Sequence, residues 1–472
     1  MASSFVVERS TRLSFPADAV YEWHARPGAF ERLTPPWERI EVLDRTGGIG
    51  DGSRTVVRVR AGPIGVRWVA GHRDNVPGRQ FVDEQVEGPF AHWIHTHRFT
   101  PDGGGCLLTD RIEYAPPYGL LGAASNLWLL RPRIARMLAY RHAVLADDLA
   151  AHARFAGRAR LHIAITGSSG LIGRPLAAFL ETGGHRVTRV VRRAAGPGEV
   201  RWDPPQSALD PTALHGIDAV VHLAGEPVAA ARWTAARRRR IRESRGMATR
   251  LLAEALAALP RPPRVLVSAS AIGIYGNRGD EILTEASMTG SPTDFLVEVA
   301  SEWEAAAEPA RRAGIRVTHP RFGIVLSPAG GALRKLLPAF RAGIGGPVGD
   351  GRSWMSWISV DDAIGAVHHL LMDERLEGPV NAVGPAPATG ATFAATLGRV
   401  LRRPTPFRLP RAALQVIFGE MAEATILAST RVLPVSLEAA GYPFRHPQLE
   451  PALRFLLGAG ADDGRPAVSF GT

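Results

Sequence analysis

The stretch Thr166-Gly167-Ser168-Ser169-Gly170-Leu171-Ile172-Gly173 spaces three glycines three residues apart. It follows an apolar run over 161–166 and leads into a helical pattern through 175–181. In that setting each glycine has its own job. Gly167 permits a tight turn, Gly170 lets the backbone approach a pyrophosphate, and Gly173 lets a helix pack on the strand. Ser168, Leu171 and Ile172 complete the loop, and the helix behind it aims free N–H groups and its positive dipole end at phosphate. In a chain with 50 glycines the spacing alone says little. Its place between a strand and a helix is what makes it a dinucleotide-binding pattern, with an ordinary tight turn as the plain alternative.

The next strand selects the dinucleotide. A site for NAD ends that strand with Asp or Glu, which binds the ribose 2′-hydroxyl. Residues 186–198 contain no acid, and the strand ends in Arg192-Arg193. A guanidinium fork suits a 2′-phosphate. The expected cofactor is therefore NADP rather than NAD; two solvated arginines are the other reading.

The elements that must position these residues alternate. Strands are expected at 161–166, 185–192, 219–224 and 264–270, with helix at 175–181 and 234–259. Such alternation calls for a parallel sheet covered on both faces. Residues 1–157 read differently. Short β-rich runs at 5–13, 55–60, 65–70, 95–99 and 106–114 are followed by a helix over 131–155, with Ile134, Leu138, Val144 or Leu145, and Leu149 on one stripe. An antiparallel sheet gripping a C-terminal helix fits that order. The expected fold class is α/β, a Rossmann-like doubly wound parallel sheet, preceded by an α+β domain.

Two resemblances sharpen this. Phe15-Pro16-Ala17-Asp18-Ala19-Val20-Tyr21, Leu33-Thr34-Pro35-Pro36-Trp37 and the late helix resemble the helix-grip family of START and polyketide-cyclase-like domains. That implies an apolar small-molecule cavity. The glycine loop, His222-Leu223-Ala224-Gly225-Glu226-Pro227, Arg232-Trp233-Thr234, Ser268-Ala269-Ser270-Ala271-Ile272-Gly273-Ile274-Tyr275-Gly276 and Trp357-Ile358-Ser359-Val360-Asp361-Asp362 resemble the extended short-chain dehydrogenase/reductases, in the NAD-dependent epimerase/dehydratase-like branch. The tail around 407–457 is similar to that branch's small C-terminal domain. The expected domains are 1–157, 160–400 and 405–460.

The resemblance implies that Leu223, Ala224 and Gly225 pass the cofactor at a strand end, that Ser268 and Ser270 end the next strand near the nicotinamide, and that Pro320 begins the segment on the nicotinamide side. It also implies a Tyr-x-x-x-Lys pair, whose lysine lowers the tyrosine pKa. Here Asp294 and Glu298 stand in those places, and Lys335 is the only lysine in the chain. Ser270 and Tyr275 are therefore the expected catalytic residues, one polarising a carbonyl and the other moving a proton; strand-end packing and a structural tyrosine stay open for them. The expected function is an NADP-dependent oxidoreductase or epimerase-like enzyme on a carbonyl or alcohol substrate. Without the Tyr/Lys pair, a non-catalytic NADP(H)-binding sensor stands as the alternative.

Composition excludes other classes. Hydrophobic residues at 45% and charged residues at 21% argue against wholesale disorder. Lys plus Arg is 56 and Asp plus Glu 45, giving +11. Acids are interleaved among the arginines, so a solvated surface is expected rather than a nucleic-acid face. Cys106 is the sole cysteine, which rules out an intrachain disulfide. His95 and His97 would share a strand face with His92 turned away, and no carboxylate joins them at ligand spacing, so no metal is expected. The beginning lacks a basic segment followed by an apolar one, and no apolar run approaches a membrane span. A cytoplasmic protein with a small-molecule substrate, and an apolar ligand in its first domain, is the expectation.

Overall fold

A computed structural model describes residues 4–61, 64–117, 126–204, 206 and 209–460. They form two compact units, the first built on the chain through 156 and the second on 157–459 apart from 181–184.

The first unit is an antiparallel sheet holding a long helix. Its elements are β1 (Phe5–Leu13), α1 (Ala17–Ala25), α2 (Ala29–Leu33), β2 (Ile40–Thr46), β3 (Arg54–Ala61), β4 (Ile64–Val76), β5 (Gln80–Glu87), β6 (His92–Asp102), β7 (Gly105–Ala115) and α3 (Arg131–Ala153). The strand order is β1-β7-β6-β5-β4-β3-β2, a meander whose first strand returns beside the last. Asp102 pairs Gly105 across a two-residue turn, where Gly103 takes a φ of 61°. That left-handed turn matches the strand twist, and glycine adopts it without steric cost. Ile134, Leu138, Leu145 and Leu149 of α3 are buried with Val7, Leu13, Leu108 and Ile112 of the sheet.

The second unit contains β8 (His162–Thr166), α4 (Gly173–Thr182), β9 (Arg186–Val191), β10 (Glu199–Arg201), β11 (Ala219–His222), α5 (Ala235–Glu243), α6 (Gly246–Ala257), β12 (Val265–Ser268), β13 (Ser270–Ala271), β14 (Ile282–Leu283), α7 (Phe295–Ala305), α8 (Glu308–Arg312) and β15 (Arg316–Phe322). Beyond these come β16 (Ile324–Leu326), α9 (Gly331–Arg341), β17 (Trp354–Met355), β18 (Trp357–Ser359), α10 (Val360–Met372), β19 (Gly378–Ala382), β20 (Ala388–Thr389), α11 (Gly390–Leu401), α12 (Arg411–Phe418), β21 (Arg431–Val432), α13 (Val435–Ala439) and α14 (Leu449–Leu457). The main sheet runs β10-β9-β8-β11-β12-β15-β19, all parallel, with β13 continuing along β15. Its inner strands are near-continuous apolar runs because helices cover both faces. Ile163, Val220, Leu266 and Val317 are fully buried.

One expectation needs correction. The helix expected over 234–259 is two, broken at Ser244-Arg245, where Gly246 opens α6. α10 is capped by Ser359, whose Oγ accepts from the Asp362 amide at 2.9 Å, with Asp361 buried in the first turn.

Candidate functional site

Register sets the floor of the site. Thr166 pairs His222, and His222 pairs Ser268, so the carboxyl ends of β8, β11 and β12 lie in one row. Ligands of open parallel sheets bind outside that edge. Thr166 Oγ1 lies 2.7 Å from His222 Nδ1 and accepts from the Ala224 amide at 3.3 Å. The Leu223 amide donates to the Thr166 carbonyl at 3.2 Å. The glycine loop is thereby stitched to Leu223-Ala224-Gly225.

The loop tolerates almost nothing larger. Gly167 has a φ of 68°, and a Cβ there would stand 2.8 Å from the Leu223 carbonyl and the Ala224 nitrogen. A Cβ on Gly173 would fall 2.2 Å from the Gly167 oxygen. Gly170 is less crowded, its nearest atom being the Gly167 oxygen at 3.1 Å, and it is exposed beside Ser169. Ser168 is buried, while Leu171 and Ile172 are half-buried. Leu171 lies against Gly330 and Gly331 ahead of α9. At the start of α4 the Arg174 and Leu176 amides donate to the Gly170 and Ile172 carbonyls at 3.2 and 3.0 Å, and Pro175 has no N–H, so a phosphate there would be met by the amides from Leu171 to Gly173. An exposed Gly170 above a helix N-terminus, with backbone packed too tightly behind for a side chain, fits a pyrophosphate.

The paired arginines separate. Arg193 gives two bonds of 2.7 Å to Glu199, which also accepts from the Gly196 amide. It closes its own loop. Arg192 is exposed and makes no ion pair with another described residue. Gly225 is backed by Arg245: a Cβ there would meet its Cζ at 3.3 Å. Arg245 donates to the Glu226 carbonyl at 3.0 Å and lies 4.9 Å above the Trp303 ring, and burial lowers its pKa to about 10. It belongs to the site's underside and not to the solvated arginine face of α5. On that face Arg237 pairs with Glu226, Arg238 with Glu420, and Arg242 with Glu298 and Glu302.

The residues standing where a Tyr/Lys pair would be are otherwise engaged. Asp294 caps α7 by accepting from the Leu296 amide at 2.9 Å, and Glu298 pairs with Arg242 at 3.2 Å. Lys335 donates to the Ala229 carbonyl. Ser268 and Pro320 are buried within the sheet.

Ser270 and Tyr275 do come together, through partners that sequence reading did not find. Ser270 donates to Glu304 at 2.6 Å, and Arg321 clamps Glu304 with two bonds of 2.9 Å. Arg321 also donates to the Tyr275 hydroxyl at 2.9 Å, and that hydroxyl gives its own proton to Asn381 at 2.8 Å. Tyr275 is fully buried and Ser270 is 2% exposed. Burial pushes the Tyr275 phenol up, against the lowering effect of Arg321. A proton donor near neutral pH needs the reverse shift, and in this geometry each hydroxyl gives its proton to an internal acceptor. The partners come from α7, β15 and β19, too far apart in sequence to leave a local signal.

Burial also holds His185, His222 and His319 down to about 4. An unfolded histidine titrates near 6.5. The unfolded chain therefore takes up protons that the folded unit refuses, so this stability is whole above about pH 6.5 and falls toward about pH 4. Thermal melts are expected to give a lower Tm at about pH 5 than at about pH 7. His222→Asn should shrink that difference; an unchanged difference contradicts the assignment.

A parallel sheet with a glycine loop at the β8–α4 turn defines a dinucleotide-binding α/β protein of the extended short-chain dehydrogenase type. Residues 163–383 match the NAD dependent epimerase/dehydratase family, 13–139 match the polyketide cyclase / dehydrase and lipid transport family, and 409–456 match a domain of unknown function. An epimerase family protein of Mycobacterium bovis is 43% identical over 294 residues, 62% of this chain and 96% of that protein. A solved structure described as a nucleoside-diphosphate sugar epimerase from Corynebacterium glutamicum is 36% identical with a TM-score of 0.79, covering 96% of this chain and 90% of that one. The human epimerase family protein SDR39U1, solved with NADPH, is 34% identical with a TM-score of 0.59, covering 63% of this chain and 99% of that one. The chain belongs to the epimerase family, as an NAD(P)-dependent epimerase/oxidoreductase-like protein with an N-terminal helix-grip unit. Among the described residues no helix is long and apolar enough to cross a membrane.

Proposed function

We propose that the second unit binds NADP(H) in preference to NAD(H) and serves an oxidoreductase or epimerase-like reaction on a carbonyl or alcohol. The observation that carries this is Arg192, exposed and free of ion pairs with described residues at the end of β9, where an NAD site would present an acid. The NADPH in the human relative supports it. Gly167, Gly170 and Gly173 would admit the pyrophosphate to the amides from Leu171 to Gly173, Ser168, Leu171 and Ile172 would shape that loop, and Leu223, Ala224 and Gly225 would pass along its other side. The bound nicotinamide supplies or accepts a hydride.

For Ser270 and Tyr275 we propose positioning roles. They hold the Glu304–Arg321 pair, which ties α7 to β15. Ser270→Ala and Tyr275→Phe are then expected to cost roughly 1–3 kcal/mol of stability each, the usual cost of an orphaned buried partner. NADPH affinity should survive in both. A variant that keeps its Tm yet loses substrate-dependent NADPH oxidation would overturn that assignment.

Turnover is tested by incubating the full chain with NADPH and a panel of aldehydes and ketones. The positions that the resemblance gives to the family's acid–base pair hold a helix cap at Asp294 and an ion pair at Glu298, which favours a second reading, a binding protein without turnover. Tight NADPH binding with no oxidation across the panel would establish that reading over the enzyme.

A further inference from the structure

The first unit carries a polar cluster that the cofactor site does not use. Cross-strand register places His72 opposite Asp83 and Asp83 opposite His95, on β4, β5 and β6. His97 lies opposite Asp110 of β7. The carboxylate that the histidines lack along the sequence thus arrives from the neighbouring strand. One ligand atom each from Asp83, His95 and His97 can be chosen so that all lie within 4.8 Å of one another.

We propose that Asp83, His95 and His97 form a site for one zinc-type divalent cation. His97 Nε2 is 3.2 Å from Asp83 Oδ2, and His95 Nδ1 is 4.0 Å from the same oxygen. Ligands about 2.0–2.1 Å from a tetrahedral zinc lie roughly 3.3–3.4 Å apart, so small side-chain rotations close the set. Two imidazoles and a carboxylate are a donor set that zinc accepts, with the fourth position left to water.

Three observations point beyond a merely structural network. Asp110, 1% exposed, stands behind the set and takes a 2.7 Å bond from His97 Nδ1. With Nδ1 committed to Asp110, Nε2 is the atom turned to Asp83, and a bound ion would take the place of the proton that Nε2 shares with that carboxylate, giving the carboxylate–histidine–metal arrangement. His95 is 4% exposed, and its nearest carboxylate oxygens stand at 4.0 and 3.7 Å, beyond a hydrogen bond. A buried ring held only for packing would normally have found an acceptor. Asp83 is the solvent-facing member, its side chain 26% exposed, which gives an ion an entry path, and His72 steadies its other oxygen at 2.9 Å.

The test uses the full-length chain stripped with a chelator and titrated with zinc(II), then with cobalt(II) as a visible reporter. One equivalent per chain and a tetrahedral cobalt spectrum bleached by zinc are expected. Asp110→Asn should weaken binding by about ten- to a hundredfold, the usual loss when such a supporting carboxylate goes. Asp83→Asn and His95→Gln should weaken it further, while His215→Gln, on the exposed surface of the other unit, should change nothing. Far-UV circular dichroism and thermal melts report whether each variant is folded. If the buried His95 variant fails to fold, the half-exposed Asp83→Asn variant decides. No saturable uptake by the unmodified chain overturns the site, as does uptake that Asp83→Asn leaves intact.

Discussion

Gly173→Ala is expected to abolish tight NADPH binding. The new Cβ would sit 2.2 Å from the Gly167 carbonyl oxygen and 2.8 Å from the Ser168 Cα, both backbone atoms. A backbone cannot swing aside as a side-chain tip does, so α4 must move off β8 and carry the Leu171–Gly173 amides at its start with it. Losing two charge-assisted hydrogen bonds at about 1.5 kcal/mol each weakens NADPH roughly a hundredfold. Overpacking at the same place costs about 1–3 kcal/mol of stability, so Tm should fall too. Gly170→Ala makes the contrast. Its Cβ would meet only one atom, at 3.1 Å, and the position is exposed. It should keep the parent Tm and lose affinity alone. Calorimetric titration with NADPH beside thermal melts checks both; a Gly173→Ala protein that binds NADPH like the parent would refute the loop's assignment.

Glu304→Ala is expected to destabilise the second unit most. Arg321 is 6% exposed, and Glu304 takes two of its bonds. Without the carboxylate the guanidinium keeps only the Tyr275 hydroxyl and ring, 5.2 Å below it. Removing one partner of a buried pair costs about 3–5 kcal/mol, because the other charge stays buried. That exceeds the cost expected of Ser270→Ala or Tyr275→Phe, which leave the ion pair in place. The ranking is the check, read by denaturant unfolding. If Tyr275→Phe proved as costly as Glu304→Ala, the ion pair would not be the centre of the network.

Local signals survived into the structure. The glycine spacing, the apolar runs of β8, β11 and β12, the stripe on α3 and the β-rich run of β7 each depend on neighbours in sequence, and each formed as read. β5 was missed because Asp83-Glu84-Gln85 interrupts its apolar alternation. The sheet places Asp83 among histidines, so polarity there marks a buried cluster and not a loop. Arg192 and Arg193 looked equivalent until Glu199 on β10 claimed one of them. The partners of Ser270 and Tyr275 were hidden for the same reason. Glu304, Arg321 and Asn381 converge on them from three distant elements, and only the fold reveals that their protons are already placed. The absence of lysine outside position 335 was legible from the start, and at the places the resemblance gives to the Tyr/Lys pair the structure has a helix cap at Asp294 and an ion pair at Glu298.

Competing titrations of NADPH and NADH into the parent chain and Arg192→Ala test the central claim most directly. The parent should bind NADPH the more tightly, and Arg192→Ala should erase that preference by weakening NADPH roughly ten- to a hundredfold, the worth of a hydrogen bond between charged groups, with NADH unchanged. Tighter binding of NADH by the parent, or a preference that Arg192→Ala leaves intact, would contradict it.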